Sequence, residues 1–61
     1  MHEEHEYLGI DYDLYPFEMH GETEWRAVSS IGTGRGETRE EAISDIEEII
    51  EMYRYYVKGI E

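Results

Sequence analysis

The sequence predicts an α+β domain in which an antiparallel sheet of about three strands packs against one long C-terminal helix. Three observations carry that expectation. Residues 7–15 and 24–31 each alternate apolar and polar side chains with period two, as half-buried strands do. His20-Gly21, between them, offers a hairpin turn. Residues 38–58 place their apolar side chains at about 100° per residue behind a capping signal, the pattern of a helix lying on a sheet.

The first six residues, Met1-His2-Glu3-Glu4-His5-Glu6, contain no apolar run and read as a flexible acidic tail, not a signal peptide. In the first strand, Leu8, Ile10, Tyr12 and Leu14 share one face, and Gly9, Asp11 and Asp13 the other. Pro16 has no N–H to donate, so the strand should end there, bulge, or run along a sheet edge, with Phe17 and Met19 as its extension. The second strand sets Trp25, Ala27, Ser29 and Ile31 against Glu24, Arg26, Val28 and Ser30. Gly32-Thr33-Gly34-Arg35-Gly36 is a loop or a short third strand; we take it as a strand, so that residues 7–36 form the sheet.

Thr38 is the expected N-cap, because Glu41 three residues later completes a capping box. Ala42, Ile43, Ile46, Ile49, Ile50, Tyr53, Tyr56 and Val57 then form the apolar stripe. Lys58 suits the negative end of the helix dipole, and Gly59 can supply the left-handed residue that stops the helix. Residues 1–61 make a single domain without internal repeats.

The charge balance narrows the function. Sixteen Asp and Glu face five Lys and Arg, a formal net charge of −11 in 61 residues. Such a field repels DNA, RNA and anionic lipid, since nucleic-acid affinity rests on cations that displace counterions from phosphate. A basic protein surface is its natural partner, with no direct contact to nucleic acid or membrane. No cysteine is available for a disulfide or a thiolate metal site, which fits a reducing cytoplasm. A domain this small buries only about 60% of its unfolded surface and has little room for a deep enzyme pocket. Eight aromatic residues in periodic positions argue for a folded chain in spite of the charge.

Glu40, Glu41, Asp45, Glu47, Glu48 and Glu51 occupy the helix face opposite the stripe, with Met52 and Tyr55 among them by helical phase. A solvated face would account for these acids in isolation. Asp11, Asp13, Glu22 and Glu24 extend the excess to the strands, together with Glu3, Glu4, Glu6 and Glu18. Rows of carboxylates with few cations between them can imitate the phosphate rows of a duplex. The partner-binding set expected from this pattern is Asp11, Asp13, Glu22, Glu24, Glu40, Glu41, Asp45, Glu47, Glu48, Glu51 and Tyr55. The glycine-rich stretch before the helix lacks the spacing of a phosphate loop. His2, His5 and His20 are weak candidates for metal ligands, and no catalytic triad or hydrolase motif is readable. The expectation is a binding protein, neither an enzyme nor a cofactor protein.

Gly36-Glu37-Thr38-Arg39-Glu40-Glu41-Ala42, followed by Ile43, Ile46 and Ile50, resembles the G-x-T-x-E-E-A helix start of HicB-like antitoxin domains, whose strands precede the helix in the same order. That resemblance implies a small basic ribonuclease toxin as partner. In size, acidity and lack of cysteine the chain is also similar to the phage-encoded anti-CRISPR proteins that mimic double-stranded DNA. This second resemblance implies a Cas surveillance-complex subunit as partner, blocked where it reads the short duplex motif beside its target. Either would act in the cytoplasm of a bacterial host cell, as a monomer or small homo-oligomer.

Overall fold

The computed structural model describes residues 2–60, and side chains for residues 2–57. It is α+β, with an antiparallel sheet of four strands and one helix: β1 (Glu3–Tyr7), β2 (Ile10–Met19), β3 (Glu22–Ser29), β4 (Gly32–Gly36) and α1 (Arg39–Ile60). The strands form a meander in the order β1-β2-β3-β4. Each neighbouring pair is joined by a two-residue turn.

The strand beyond the expected three is β1, drawn from residues that read as a tail; Met1 lies outside the described residues. The chain reverses at Leu8-Gly9, with φ of 52° and 84°, so Tyr7 pairs with Ile10 and Glu3 with Leu14. Two consecutive left-handed residues match the twist of a hairpin, but a leucine rarely supplies the first of them. Leu8 is therefore a turn residue and not part of the β2 face. His20-Gly21 forms the expected second turn in the same way, with φ of 55° and 80°. The third turn, Ser30-Ile31, has no left-handed residue and depends on the Ser29 side chain. Ser29 Oγ accepts from the N–H groups of Ile31 (3.3 Å) and Gly32 (3.2 Å) and donates to the Gly32 carbonyl (2.7 Å). Ile31 thus sits in a turn, although it still packs against the core.

Pro16 lies within β2 and pairs with Trp25. Because β1 reaches only to Leu14, that part of β2 has an open edge where a missing donor is tolerated.

The core is Tyr12, Leu14 and Ala27 from the sheet and Ala42, Ile46 and Ile50 from the helix, all buried. Leu14, Ile46 and Ile50 are the largest fully buried side chains. At about 1.5–3 kcal/mol each, they supply several kcal/mol of transfer free energy before entropy is subtracted. The helix lies directly on the backbone of β4. A Cβ at Gly34 would stand 2.5 Å from the Ile46 nitrogen and 2.9 Å from its Cα, and one at Gly36 would strike Glu41 and Ala42. One at Gly32 would come within 3.1 Å of the Ile49 side chain. Three glycines at every second position, which read as a loop or a weak strand, are a groove for the helix.

The molecule measures 46 × 17 × 16 Å, because both layers overrun each other. Residues 17–24 of the β2–β3 hairpin extend past the ends of β1 and β4. At the opposite end the sheet stops beneath Ile50 and the helix continues to Ile60, through Gly59 instead of ending there. A glycine inside a helix costs only about 1 kcal/mol relative to alanine. The last part of the expected stripe is consequently uncovered: Tyr53, Tyr56 and Val57 are 45%, 62% and 45% exposed.

The glycine groove yields a stability test. Gly34→Ala should lower the free energy of unfolding by about 2–3 kcal/mol, since helix backbone cannot rotate out of the way. Gly9→Ala meets nothing within 4 Å and should cost only about 1 kcal/mol, from its positive φ alone. Urea titration of both variants checks this, and equal losses would remove the close approach as the reason for the glycines.

Candidate functional site

Two-layer packing distributes the acids over opposite sides of the molecule. On α1 the outward row is Glu40, Glu48 and Glu51, all exposed, with Tyr55 75% exposed in line with them. Glu47 is half-buried on the flank facing β1. Residues Asp11 and Asp13 alternate with the buried Tyr12 and Leu14, so they point from the sheet face that the helix does not cover. There they stand across from Glu6 and Glu4 respectively. Like charges directly opposite on a sheet are unfavourable, and His2 Nε2, 3.2 Å from Asp13, is the one imidazole among the described residues beside them. Glu22 and Glu24 belong to a third location, the overrunning hairpin. Glu24 is paired with Arg26 at 3.4 Å and Arg35 at 3.8 Å, and the Arg26 guanidinium lies 4.1 Å from the centre of the Phe17 ring. The expected set is therefore not one surface.

Several of these carboxylates hold the fold together. Glu41 Oε1 accepts from the N–H groups of Glu37 (2.8 Å) and Thr38 (3.3 Å), while Thr38 Oγ1 accepts from the Glu41 N–H (3.1 Å). The expected capping box is formed, and it satisfies donors that the helix start leaves open. Asp45 Oδ2 accepts from the Arg35 N–H at 3.0 Å, which ties the edge strand β4 to the helix and covers part of that edge. Glu51 accepts from the Tyr7 hydroxyl at 2.6 Å. This hydrogen bond, with desolvation and the negative charges of Glu51 and Glu47, pushes the Tyr7 phenol up to about 12. Burial raises the Tyr12 phenol as well.

Sequence reasoning missed the pair that fastens β1. Glu3 faces the helix side and receives Arg39 in a forked contact: Nη2 to Oε1 at 2.6 Å and Nε to Oε2 at 2.9 Å. Geometry of this kind makes a strong ion pair. His5 Nε2 stands 2.8 Å from the same carboxylate and its ring stacks on Tyr12, 5.4 Å between centroids. The Arg39 and His5 hydrogen bonds hold the Glu3 carboxyl at about 2, against an ordinary 4.5, and the pair raises the Arg39 guanidinium in turn. Glu3, His5 and Tyr7 alternate along the chain, which is the one signal in the sequence that could have placed them on a common face.

Among the described residues no three His, Asp or Glu side chains are grouped to hold a metal ion. Nor is any helix among them long and apolar enough to cross a membrane. Comparison with protein-family models, with curated proteins and with solved structures found no match to this chain.

The Glu3–Arg39 pair predicts a pH dependence. Glu3 ionises more readily in the folded chain, so its contribution is complete above about 4.5 and is lost as the pH falls towards about 2. An NMR titration should place its carboxyl midpoint near 2, returning towards 4.5 in Arg39→Gln. The variant should melt lower than the parent at neutral pH, and the difference should narrow over that acid range. A Glu3 midpoint unmoved by Arg39→Gln would show that the arginine is not what holds it.

Proposed function

We propose that this protein is a stoichiometric inhibitor that mimics nucleic acid, an anti-CRISPR protein that occludes the basic DNA-binding surface of a Cas surveillance complex in the bacterial cytoplasm. It works by occupancy, without catalysis or cofactor. The observation that carries the reading is the spacing of charge along α1. Glu40, Glu41, Asp45, Glu47, Glu48 and Glu51 fall within 12 consecutive residues. At 1.5 Å rise per residue this is about one negative charge per 3 Å of axis, close to the roughly 3.4 Å phosphate repeat of one DNA strand. The exposed Tyr55 beyond this row gives it an aromatic anchor of the type that dominates protein interfaces. Asp11 and Asp13, with Glu4 and Glu6, form a second acidic patch on the far side of a body 16–17 Å thick.

A second reading is a HicB-like antitoxin that neutralises a small basic ribonuclease. Its support is the helix start Gly36-Glu37-Thr38-Arg39-Glu40-Glu41-Ala42, on which the resemblance rests. Both readings use the same acidic helix against a basic groove and differ in the partner.

Competition separates them. A purified surveillance complex holding labelled target duplex should release it as this protein is added, and binding should weaken steeply as the Debye length falls from about 10 Å at 0.1 M salt to about 3 Å at 1 M. Glu40→Lys with Glu48→Lys should weaken binding more than tenfold and spare the fold, whereas a lysine at 41 or 45 would also remove a cap or an edge contact. Simultaneous binding of duplex and protein at undiminished affinity, or a fully active double variant, would defeat the mimic. Protection of a basic ribonuclease's substrate in place of duplex release would favour the antitoxin.

A further inference from the structure

We infer that the uncovered C-terminal end of α1 is the contact surface for a second copy of this chain, packed antiparallel about a two-fold axis. Past Ile50, the helix continues the line of its own core residues: Ile46, Ile50, Tyr53 and Val57 are spaced four, three and four, the alternation of a helix–helix seam. The first two are fully buried under the sheet, while Tyr53 and Val57 continue their line and are each 45% exposed; Tyr56 lies on the flank, its ring edge-on to that of Tyr55 at 5.9 Å between centroids. Leu8 stands at the same end, 45% exposed, where Arg54 Nη1 donates to its carbonyl at 3.2 Å. It keeps a bulky apolar side chain at φ 52°, a conformation that asparagine or glycine would adopt with less strain.

Charge decides between occupants. Residues 52–60 contain no carboxylate in a chain of net charge −11, and they include Arg54 and Lys58. A basic partner of the kind proposed above is the wrong complement for this stretch. A second copy is suited to it, because two strongly negative molecules repel each other least where their surfaces meet over residues 52–60, between Glu51 and Glu61. In an antiparallel pair the end of each helix, with Arg54 and Lys58, also points towards Glu47 and Glu51 of the other copy, at the last covered turn of α1. The outward row of Glu40, Glu48 and Tyr55 lies on the far side of the helix from the seam and stays free.

The surface is sufficient for a weak dimer. Tyr53, Val57 and Leu8, with the near side of Tyr56, leave on the order of 300 Å² of apolar surface per copy. With flanking polar groups, a two-copy contact is on the order of 1,000 Å² in total, the lower limit for specific association, so a weak and reversible dimer is expected.

Sedimentation equilibrium of the whole chain from about 1 to 200 µM tests this. The mass should rise from 7.3 kDa towards twice that value. Tyr53→Ser and Val57→Ser, checked for native circular dichroism, should each raise the dissociation constant at least tenfold, while Ser44→Ala on the outward face leaves it unchanged. A single 7.3 kDa species at every concentration overturns the inference. So does a dimer indifferent to Tyr53 and Val57, or monomers that instead co-sediment with anionic phosphatidylserine vesicles through this end. The dimer is measured without any partner, so its absence leaves the inhibitor reading intact, and a failed duplex competition leaves the dimer intact.

Discussion

The rest of the structure depends on how closely α1 lies on β4. Gly34 and Gly36 present bare backbone to the helix, and the space a Cβ would need is filled by the backbone of Ile46 and by Glu41 and Ala42. This contact sets the direction of the helix and its turn-by-turn alignment with the sheet. Ile46 and Ile50 then drop onto Leu14 and Ala27, and Asp45 comes within reach of the Arg35 N–H. The helix start is placed by the same contact, since Gly36 is followed after one residue by the Thr38 cap. A bulkier β4 would lift the helix off the few side chains that form the core. Among the described residues three large side chains, Leu14, Ile46 and Ile50, are fully buried, a small hydrophobic reserve with which to absorb that change.

Periodicity revealed β2, β3 and α1 because each buries apolar side chains at the period of its own geometry. It failed at β1, whose inward residues Glu3 and His5 are held by an arginine and an aromatic ring, and whose Tyr7 packs against the core while donating to a carboxylate. A polar strand fixed by partners 36 and 44 residues away leaves only the alternation of Glu3, His5 and Tyr7 as a local trace, without the apolar residues that mark a buried face. The Leu8-Gly9 turn was hidden for a related reason, as leucine is seldom found at φ near 52° and the Leu8–Ile10–Tyr12 alternation ran straight through it. The glycines of β4 were visible but misleading, since the residue that gives a chain freedom also permits the tightest packing. Beyond Ile50 the expected cover over Tyr53, Tyr56 and Val57 is missing, because periodicity marks an apolar face without showing where the sheet beneath it ends.

Counting acids gave the charge of the molecule without its distribution. In three dimensions Glu3, Glu41, Asp45 and Glu51 each accept hydrogen bonds that hold an element in place, and Glu24 is shared between two arginines. Glu40 and Glu48 make no such structural contact beyond the 3.7 Å approach of Arg39 to Glu40. The candidate face is thus a mixture, and nothing in residue type separates its two kinds of glutamate.

All four arginines, by contrast, are occupied. Arg39 is taken by Glu3, Arg26 by Glu24 and the Phe17 ring, Arg35 by Glu24, and Arg54 by the Leu8 carbonyl. They serve particular contacts and leave the carboxylate rows uncompensated. Interleaving lysines along α1 would gain a few tenths of a kcal/mol per pair and remove the repulsion between residues four apart, such as Glu47 and Glu51. Stability alone favours that exchange at almost every outward position. Glu40 and Glu48, on a helix already fixed by its glycine groove and its cap, fasten no other element among the described residues. Their field acts on whatever approaches from outside.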